Sequence, residues 1–236
     1  MNRMFLPSVR ETYSDHQSLV ELSESRRRLL EEFRGLYTAV LARMDRDRGI
    51  VLGVSSPMHG EGKTTVATNI AGAMAADLEK RVLLVSSVFH PADRRTGERP
   101  GLAEYLADPA RSLEELLVPT PLPNLHVLFA GAAPDNPSRL LRGERMRRTV
   151  TELRERFDIT VVDLPPVLRA SDTQVLAGMM DGILLVVGVG ATSIWAAERA
   201  VKMLAGANLV GIAANRAQSE LPQWLARWIG GNEWVA

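Results

Sequence analysis

Gly60-Glu61-Gly62-Lys63-Thr64-Thr65 puts two glycines, a lysine and two hydroxyls in one short run, a set suited to gripping phosphate. Ile50-Val51-Leu52-Gly53-Val54 ahead of it reads as a short buried strand, and Val66 to Asp77 behind it reads as an alanine-rich amphipathic helix. A glycine turn between strand and helix that closes on Gly-Lys-Thr is the geometry of a phosphate-binding loop. There the N–H groups of the turn and of the helix N-terminus converge on an anion, Lys63 adds a point charge, and the Thr64 hydroxyl can ligate Mg²⁺. The competing explanation is an ordinary Gly-rich turn with a solvated lysine. The flanking strand and helix favour a nucleoside triphosphate held by Gly60, Glu61, Gly62, Lys63, Thr64 and Thr65. The strict pattern wants glycine at position 57, and Pro57 makes this a variant loop.

A second chemical signal is Ile159-Thr160-Val161-Val162-Asp163, an apolar run ending in a carboxylate. A strand that delivers Asp163 to a phosphate site supplies the Walker B role, holding Mg²⁺ through water. A turn or capping aspartate is the alternative, since Pro165 and Pro166 follow.

Composition sets what must position these groups. The chain has 236 residues, 46% hydrophobic and 24% charged, enough for a full core in one α/β domain with extensions. Lys plus Arg equals Asp plus Glu at 28 each, and no basic stretch is interleaved with aromatics, so nucleic-acid binding is not expected. With no cysteine, disulfides, thiolate metal sites and a cysteine nucleophile are excluded. The N-terminus has no apolar signal core. The uncharged stretch from Gly182 to Ala197 falls short of the roughly 20 apolar residues of a span. A cytoplasmic protein without a membrane span is the expectation.

Residues 1–24 read as a flexible segment and 25–236 as a single domain. From Ser25 to about Arg46, apolar residues recur at three and four, one face of a helix. Beyond it, strands are expected at 50–54, 81–85, 125–129, 159–163, 183–187 and 209–214. Helices are expected near 64–77, 101–107, 112–117, 137–156, 171–179, 192–206 and 221–229. Pro119, Pro121 and Pro123 read as an exposed extended connection. The alternation predicts an α/β fold with a doubly wound, mainly parallel sheet and its ligand at the C-terminal strand ends.

Three segments in this order carry a family resemblance: Glu31-Glu32-Phe33-Arg34-Gly35-Leu36-Tyr37-Thr38, Ser55 to Thr64, and Val162-Asp163-Leu164-Pro165-Pro166. With Asp172, the Asp181–Val187 strand, Gly101–Leu106, Pro123–Leu128 and Gly131–Leu141, they resemble the bacterial tyrosine kinases of capsular and exopolysaccharide synthesis. The resemblance covers about residues 28 to 218. It implies a P-loop ATPase fold of the deviant-Walker type, shared with the septum-positioning ATPases. Those relatives carry a second lysine early in the loop, where Met58 stands here. It also implies ATP and Mg²⁺ as cofactors, with Lys63 and Asp163 catalytic and Thr64 and Asp163 on the metal. The implied partner is a membrane chain-length-determinant protein that recruits the chain to the inner face of the membrane.

The departures from that pattern are specific. Where the family's second strand ends in Asp-x-Asp, this chain has Ser86 and Val88, and neither can serve as a strong base. Asp93 and His90 are nearby substitutes on paper only. The family's C-terminal tyrosine cluster is missing; the last tyrosine is Tyr105, and Trp224, Leu225, Trp228 and Ile229 form an apolar stripe instead. The family's oligomerising Glu-x-x-Arg-x-x-Arg appears as Glu31-x-x-Arg34-x-x-Tyr37, leaving a homo-oligomer to Glu31 and Arg34. Asn215 follows the last strand where the related ATPases place a base-reading amide, though a turn asparagine is an equal explanation. The sequence thus supports an ATP-binding, kinase-like regulator with weakened or lost phosphotransfer, or an active tyrosine autokinase or ATPase.

Overall fold

Val, Ile and Leu fill most strand positions, and a sheet covered on both faces buries such runs. The computed structural model describes residues 24–44, 48–89 and 99–216, with side chains from residue 30 onward. Seven strands form one sheet in the order β3-β4-β2-β5-β1-β6-β7. They are β1 (Ile50–Ser55), β2 (Val82–Ser86), β3 (Val118–Pro119), β4 (Leu125–Leu128), β5 (Ile159–Asp163), β6 (Gly182–Gly188) and β7 (Leu209–Asn215). Every neighbouring pair is parallel except β3 with β4. β1 and β5 are buried along their whole length.

Helices lie on both faces. One face is covered by α1 (Glu24–Leu41) and α2 (Lys63–Asp77), whose Tyr37, Val40, Ile70 and Met74 join Leu52, Val161 and Leu184 of the sheet. The other carries α3 (Leu102–Ala107), α4 (Pro137–Leu141), α5 (Glu144–Arg156), α6 (Asp172–Ala177) and α7 (Ile194–Met203), packed around Val51, Leu83, Val162 and Leu185. The expected doubly wound α/β fold is present. From β1 the chain crosses to β2 on one side, and from β5 it crosses over β1 to β6 on the other. The switch point therefore falls at the C-terminal ends of β1 and β5, the crevice where such sheets bind ligands.

Four local expectations need correction. The single helix expected over 137–156 is two, because Gly143 takes an extended conformation (φ −68°, ψ 158°) between α4 and α5. Both halves have helical composition, so periodicity runs across the break. The helix near 112–117 is only a 3-10 turn at Glu114–Leu116. The proline-rich connection contains an edge strand, since Val118 and Pro119 pair antiparallel with Val127 and His126; proline is tolerated at an edge because no ladder N–H is needed on its open side. Finally, α2 is buried from Val66 to Ala75 on nearly all sides rather than amphipathic. Small alanines let α1 lie across its outer face, and a helix apolar all round belongs inside.

Asp181 gathers the bottom edge of the sheet. Its carboxylate accepts the Val51 N–H at 2.8 Å, Arg154 Nε at 3.0 Å and Arg48 Nη2 at 3.0 Å. Arg154 also donates to the Met179 carbonyl at 2.6 Å. One carboxylate thus fastens β1, the end of α5 and the start of β6. Among the described residues, no helix is long and apolar enough to cross a membrane.

Candidate nucleotide site

The loop from Ser56 to Gly62 leaves the buried end of β1 and turns into α2. Gly60 and Gly62 both adopt left-handed backbone conformations, at φ 79° and 95°, which glycine alone takes without strain. A Cβ on Gly62 would lie 2.0 Å from Asn215 Nδ2, so space and torsion both demand glycine there. As the N-cap of α2, Gly62 offers no side-chain cap, and the N–H groups of a first helical turn have no intrahelical partner. They form a cradle for an anion.

The loop's outer wall is sewn to the segment after β5. Val167 N–H donates to the Ser56 carbonyl at 2.8 Å and Leu168 N–H to the Pro57 carbonyl at 3.1 Å. Ser55 and Thr173 hydroxyls both donate to the Pro165 carbonyl, at 2.7 and 2.9 Å. Position 57 contributes its carbonyl to this seam, which explains why proline, lacking an N–H, serves there in place of glycine.

At the head of α2 the predicted groups converge. Thr64 Oγ1 donates to Asp163 Oδ2 at 2.7 Å, and Lys63 Nζ donates to Asp163 Oδ1 and Thr64 Oγ1, both at 3.2 Å. Asp163 is 3% exposed and Lys63 is buried too, so each charge compensates the other. The donor set fits Mg·ATP: a hydroxyl and a carboxylate side by side for the metal, with an ammonium and an uncapped helix start for phosphate. Mg²⁺ characteristically takes one or two carboxylates and fills its shell with water and phosphate oxygens. That suits a site where, among the described residues, no cluster of three or more metal-ligating side chains exists.

Ser86 ends β2 directly beside Asp163 in the β2–β5 register. Ser87, fully buried, gives both its N–H (3.0 Å) and its hydroxyl (2.8 Å) to the Asp163 carbonyl. Val88 is buried as well. Among the described residues, then, the β2 end lends the site a hydroxyl and an aliphatic group but no carboxylate. His90, Asp93, Tyr13 and the 221–229 helix lie outside the described residues.

Asn215 touches the loop through one end of its amide and holds its own chain with the other. Nδ2 donates to the Glu61 carbonyl at 2.8 Å and Oδ1 accepts the Arg216 N–H at 3.0 Å. In this arrangement it braces the loop. Arg216 adds a second brace, Nη2 donating to the Gly60 carbonyl at 2.6 Å. Glu61 belongs to the loop through its backbone, while its buried carboxylate points elsewhere: Oε2 accepts the Met58 N–H at 2.7 Å and Oε1 accepts the Thr192 hydroxyl. The Thr65 carbonyl accepts Asn69 Nδ2 at 2.8 Å, inside α2. Arg216 and Thr192 are supporting residues that the sequence did not flag.

Glu31 and Arg34 sit at the opposite end of α2. Arg34 donates to both oxygens of Asp77 at 2.8 and 2.9 Å and to Glu31 at 2.5 Å. Asp77 closes the 15-residue α2, about 21 Å from the phosphate cradle. Tyr37, where the family motif has a second arginine, also donates to Asp77, at 3.1 Å. Asp172 is likewise structural, accepting Ser138 Oγ at 2.7 Å and Arg142 Nε at 2.6 Å to tie α6 to α4.

Both described tyrosines are buried and committed, Tyr37 to Asp77 and Tyr105 to Glu152 at 2.6 Å. Burial chiefly, and then the bond to a carboxylate, raises each phenol above its ordinary pKa of 10. A raised folded-state pKa means the folded state holds the proton more tightly. The stability from these groups is complete below pH 10 and is lost as pH climbs from there through the folded values. Absorbance at 295 nm should therefore show two of the three tyrosines ionising later in the native protein than in urea; superimposable curves would contradict the burial.

No protein-family model matches the chain. EpsB of Ralstonia nicotianae, named as a candidate tyrosine-protein kinase, is 32% identical over 189 residues, covering 76% of this chain. The chain spans only 24% of EpsB. Among solved structures, the kinase domain of the Escherichia coli tyrosine kinase Etk superposes with a TM-score of 0.73 at 25% identity, over 82% of this chain and 78% of that one. The BceF tyrosine kinase domain gives a TM-score of 0.68 at 32% identity, over 78% of this chain and 76% of that one. The fold is also that of the septum-site-determining ATPases. A match at 32% identity that takes in about three quarters of a solved kinase domain decides the family: the chain belongs to the bacterial tyrosine kinases.

Proposed function

We propose that the chain is an ATP-binding, kinase-like regulator of capsule- or exopolysaccharide-type polysaccharide biosynthesis and export, with tyrosine phosphotransfer weakened or lost. The observation that carries this reading is the asymmetry of the site. Lys63, Thr64 and Asp163 meet at the head of α2, while Ser86 and Val88 stand where relatives have the carboxylates that activate the attacking hydroxyl. The buried state of Tyr37 and Tyr105 supports it from the acceptor side. In this reading Lys63 and the first-turn N–H groups of α2 hold the phosphates, and Thr64 and Asp163 hold Mg²⁺. Bound Mg·ATP supplies charge neutralisation and a transferable phosphoryl group. The protein works at the inner face of the membrane through a chain-length-determinant partner docked near the nucleotide. Self-association through α1 would have to use Glu31 and Arg34 although Asp77 of the same chain already holds Arg34.

One observation favours a second reading, an active ATPase or tyrosine autokinase. Lys63, Thr64 and Asp163, to which this reading gives the phosphates and the metal, come together at the head of α2, and phosphoryl transfer depends more on positioning and charge than on a base. Incubation with Mg·ATP, with and without the partner's cytoplasmic segment, followed by mass spectrometry separates the two. No phosphate above background is expected on Tyr13, Tyr37 or Tyr105; substantial occupancy at any of them would replace the regulator with the autokinase.

A further inference from the structure

The large apolar side chains left exposed among the described residues all lie in one corner of the fold. They are Val189, Ile194 (80% exposed), Trp195 (64%) and Ile212. Val189 and Ile194 bracket the turn from β6 into α7, and Trp195 opens the helix, with the Arg199 guanidinium 5.2 Å from its ring centre. Ile212 lies on the edge strand β7, paired with Leu185. That is the face on which α7 packs through Ala200 and Leu204. Single exposed apolar residues are ordinary, but four of them on one turn, the helix it opens and the neighbouring edge strand mark a surface that something covers.

The chain itself arrives at that corner. β7 runs to Asn215, whose carbonyl accepts the Val189 N–H at 2.9 Å, and Arg216 is anchored to the Gly60 carbonyl. The described residues end there, against the turn that carries the patch. Four residues, Ala217 to Glu220, then lead to Leu221, a tether of about 16 Å when extended. Ile212 is about 13 Å back along the strand. Within that reach the sequence places Trp224, Leu225, Trp228 and Ile229 on one helical face. Residues 217–236 contain Glu220 and Glu233 against Arg227, so they lack the polybasic face that draws an amphipathic helix to anionic lipid.

We propose that this C-terminal segment docks on its own domain, seating Trp224, Leu225, Trp228 and Ile229 against Val189, Ile194, Trp195 and Ile212. In the position where relatives carry an acceptor tail of tyrosines, this chain carries a built-in apolar cover for the corner beside the phosphate loop. The docking does not depend on nucleotide.

The absence of cysteine makes the test direct, because two introduced thiols are the only ones. Ile194→Cys paired with Trp228→Cys, and separately Val189→Cys with Leu225→Cys, are made in the full chain and treated with a short bis-maleimide at low protein concentration. The control pairs Trp228→Cys with Arg148→Cys on the exposed face of α5. Peptide mapping should find an intrachain link in most molecules of at least one corner pair and at least tenfold less in the control. Equal yields in corner and control would mean an untethered segment and overturn the proposal. Links formed only between chains would assign the corner to a second copy. Sedimentation of the unmodified chain with phosphatidylglycerol vesicles, together with absent links, would make the stripe a membrane anchor. Either result overturns self-docking.

Discussion

Lys63→Ala should weaken ATP binding about tenfold to a hundredfold, the loss of a charge-assisted phosphate contact of roughly 1.5–3 kcal/mol. The structure adds a second consequence. Lys63 is also the counter-charge of Asp163, 3.2 Å away and 3% exposed. Without it the buried carboxylate loses its counter-charge, so the nucleotide-free protein should melt earlier as well. The two effects are separable. Calorimetric titration well below the melting transition reads affinity, and thermal denaturation without ligand reads stability. Equal ATP binding by wild type and Lys63→Ala in folded protein would remove the loop from the nucleotide site.

The second large effect is expected far from the chemistry. Asp181→Ala removes the acceptor shared by the Val51 N–H, Arg154 and Arg48, and leaves the largely buried Arg154 charge with only the Met179 carbonyl. Breaking a buried ion pair by deleting one partner costs about 3–5 kcal/mol. Partial exposure at this edge argues for the lower figure, about 3 kcal/mol. For a chain of this size that is a fall in Tm of roughly 6–12 °C. Arg48→Ala is the matched contrast: its side chain is 61% exposed, and loss of a surface partner costs under about 1 kcal/mol. Should Asp181→Ala and Arg48→Ala melt alike, Asp181 would not be the fastening point that its bonds suggest.

Much of this was legible in the sequence because it is local. Continuous Val/Ile/Leu runs located the six long strands, and the strand–glycine–lysine–helix order located the cradle before any coordinate. Asp163 was legible for the same reason, as the last residue of one such run. Contacts made across the chain left no comparable trace. The Arg34–Asp77 pair joins positions 43 residues apart, the Asn215 brace spans 154, and Glu61 meets Thr192 across 131. The burial of α2 on all sides depends on where α1 comes to rest, and no window over 63–77 contains that information. The break at Gly143 was missed for the opposite reason: its surroundings are good helix formers on both sides, and backbone torsion, not composition, ends α4.

The carboxylate of Glu61 is buried inside the loop and receives its second hydrogen bond from Thr192, whose own hydroxyl also accepts the Gly188 N–H at 3.0 Å. A charge in that place is tolerable only while a donor faces it. Glutamate at 61 and a hydroxyl at 192 are therefore a matched pair, and a lineage that replaces one is under pressure to replace the other. The loop's ancestry is in this sense written in two distant parts of the gene. A graft of the Gly60–Thr65 hexapeptide into a relative would carry only half of what holds it in shape.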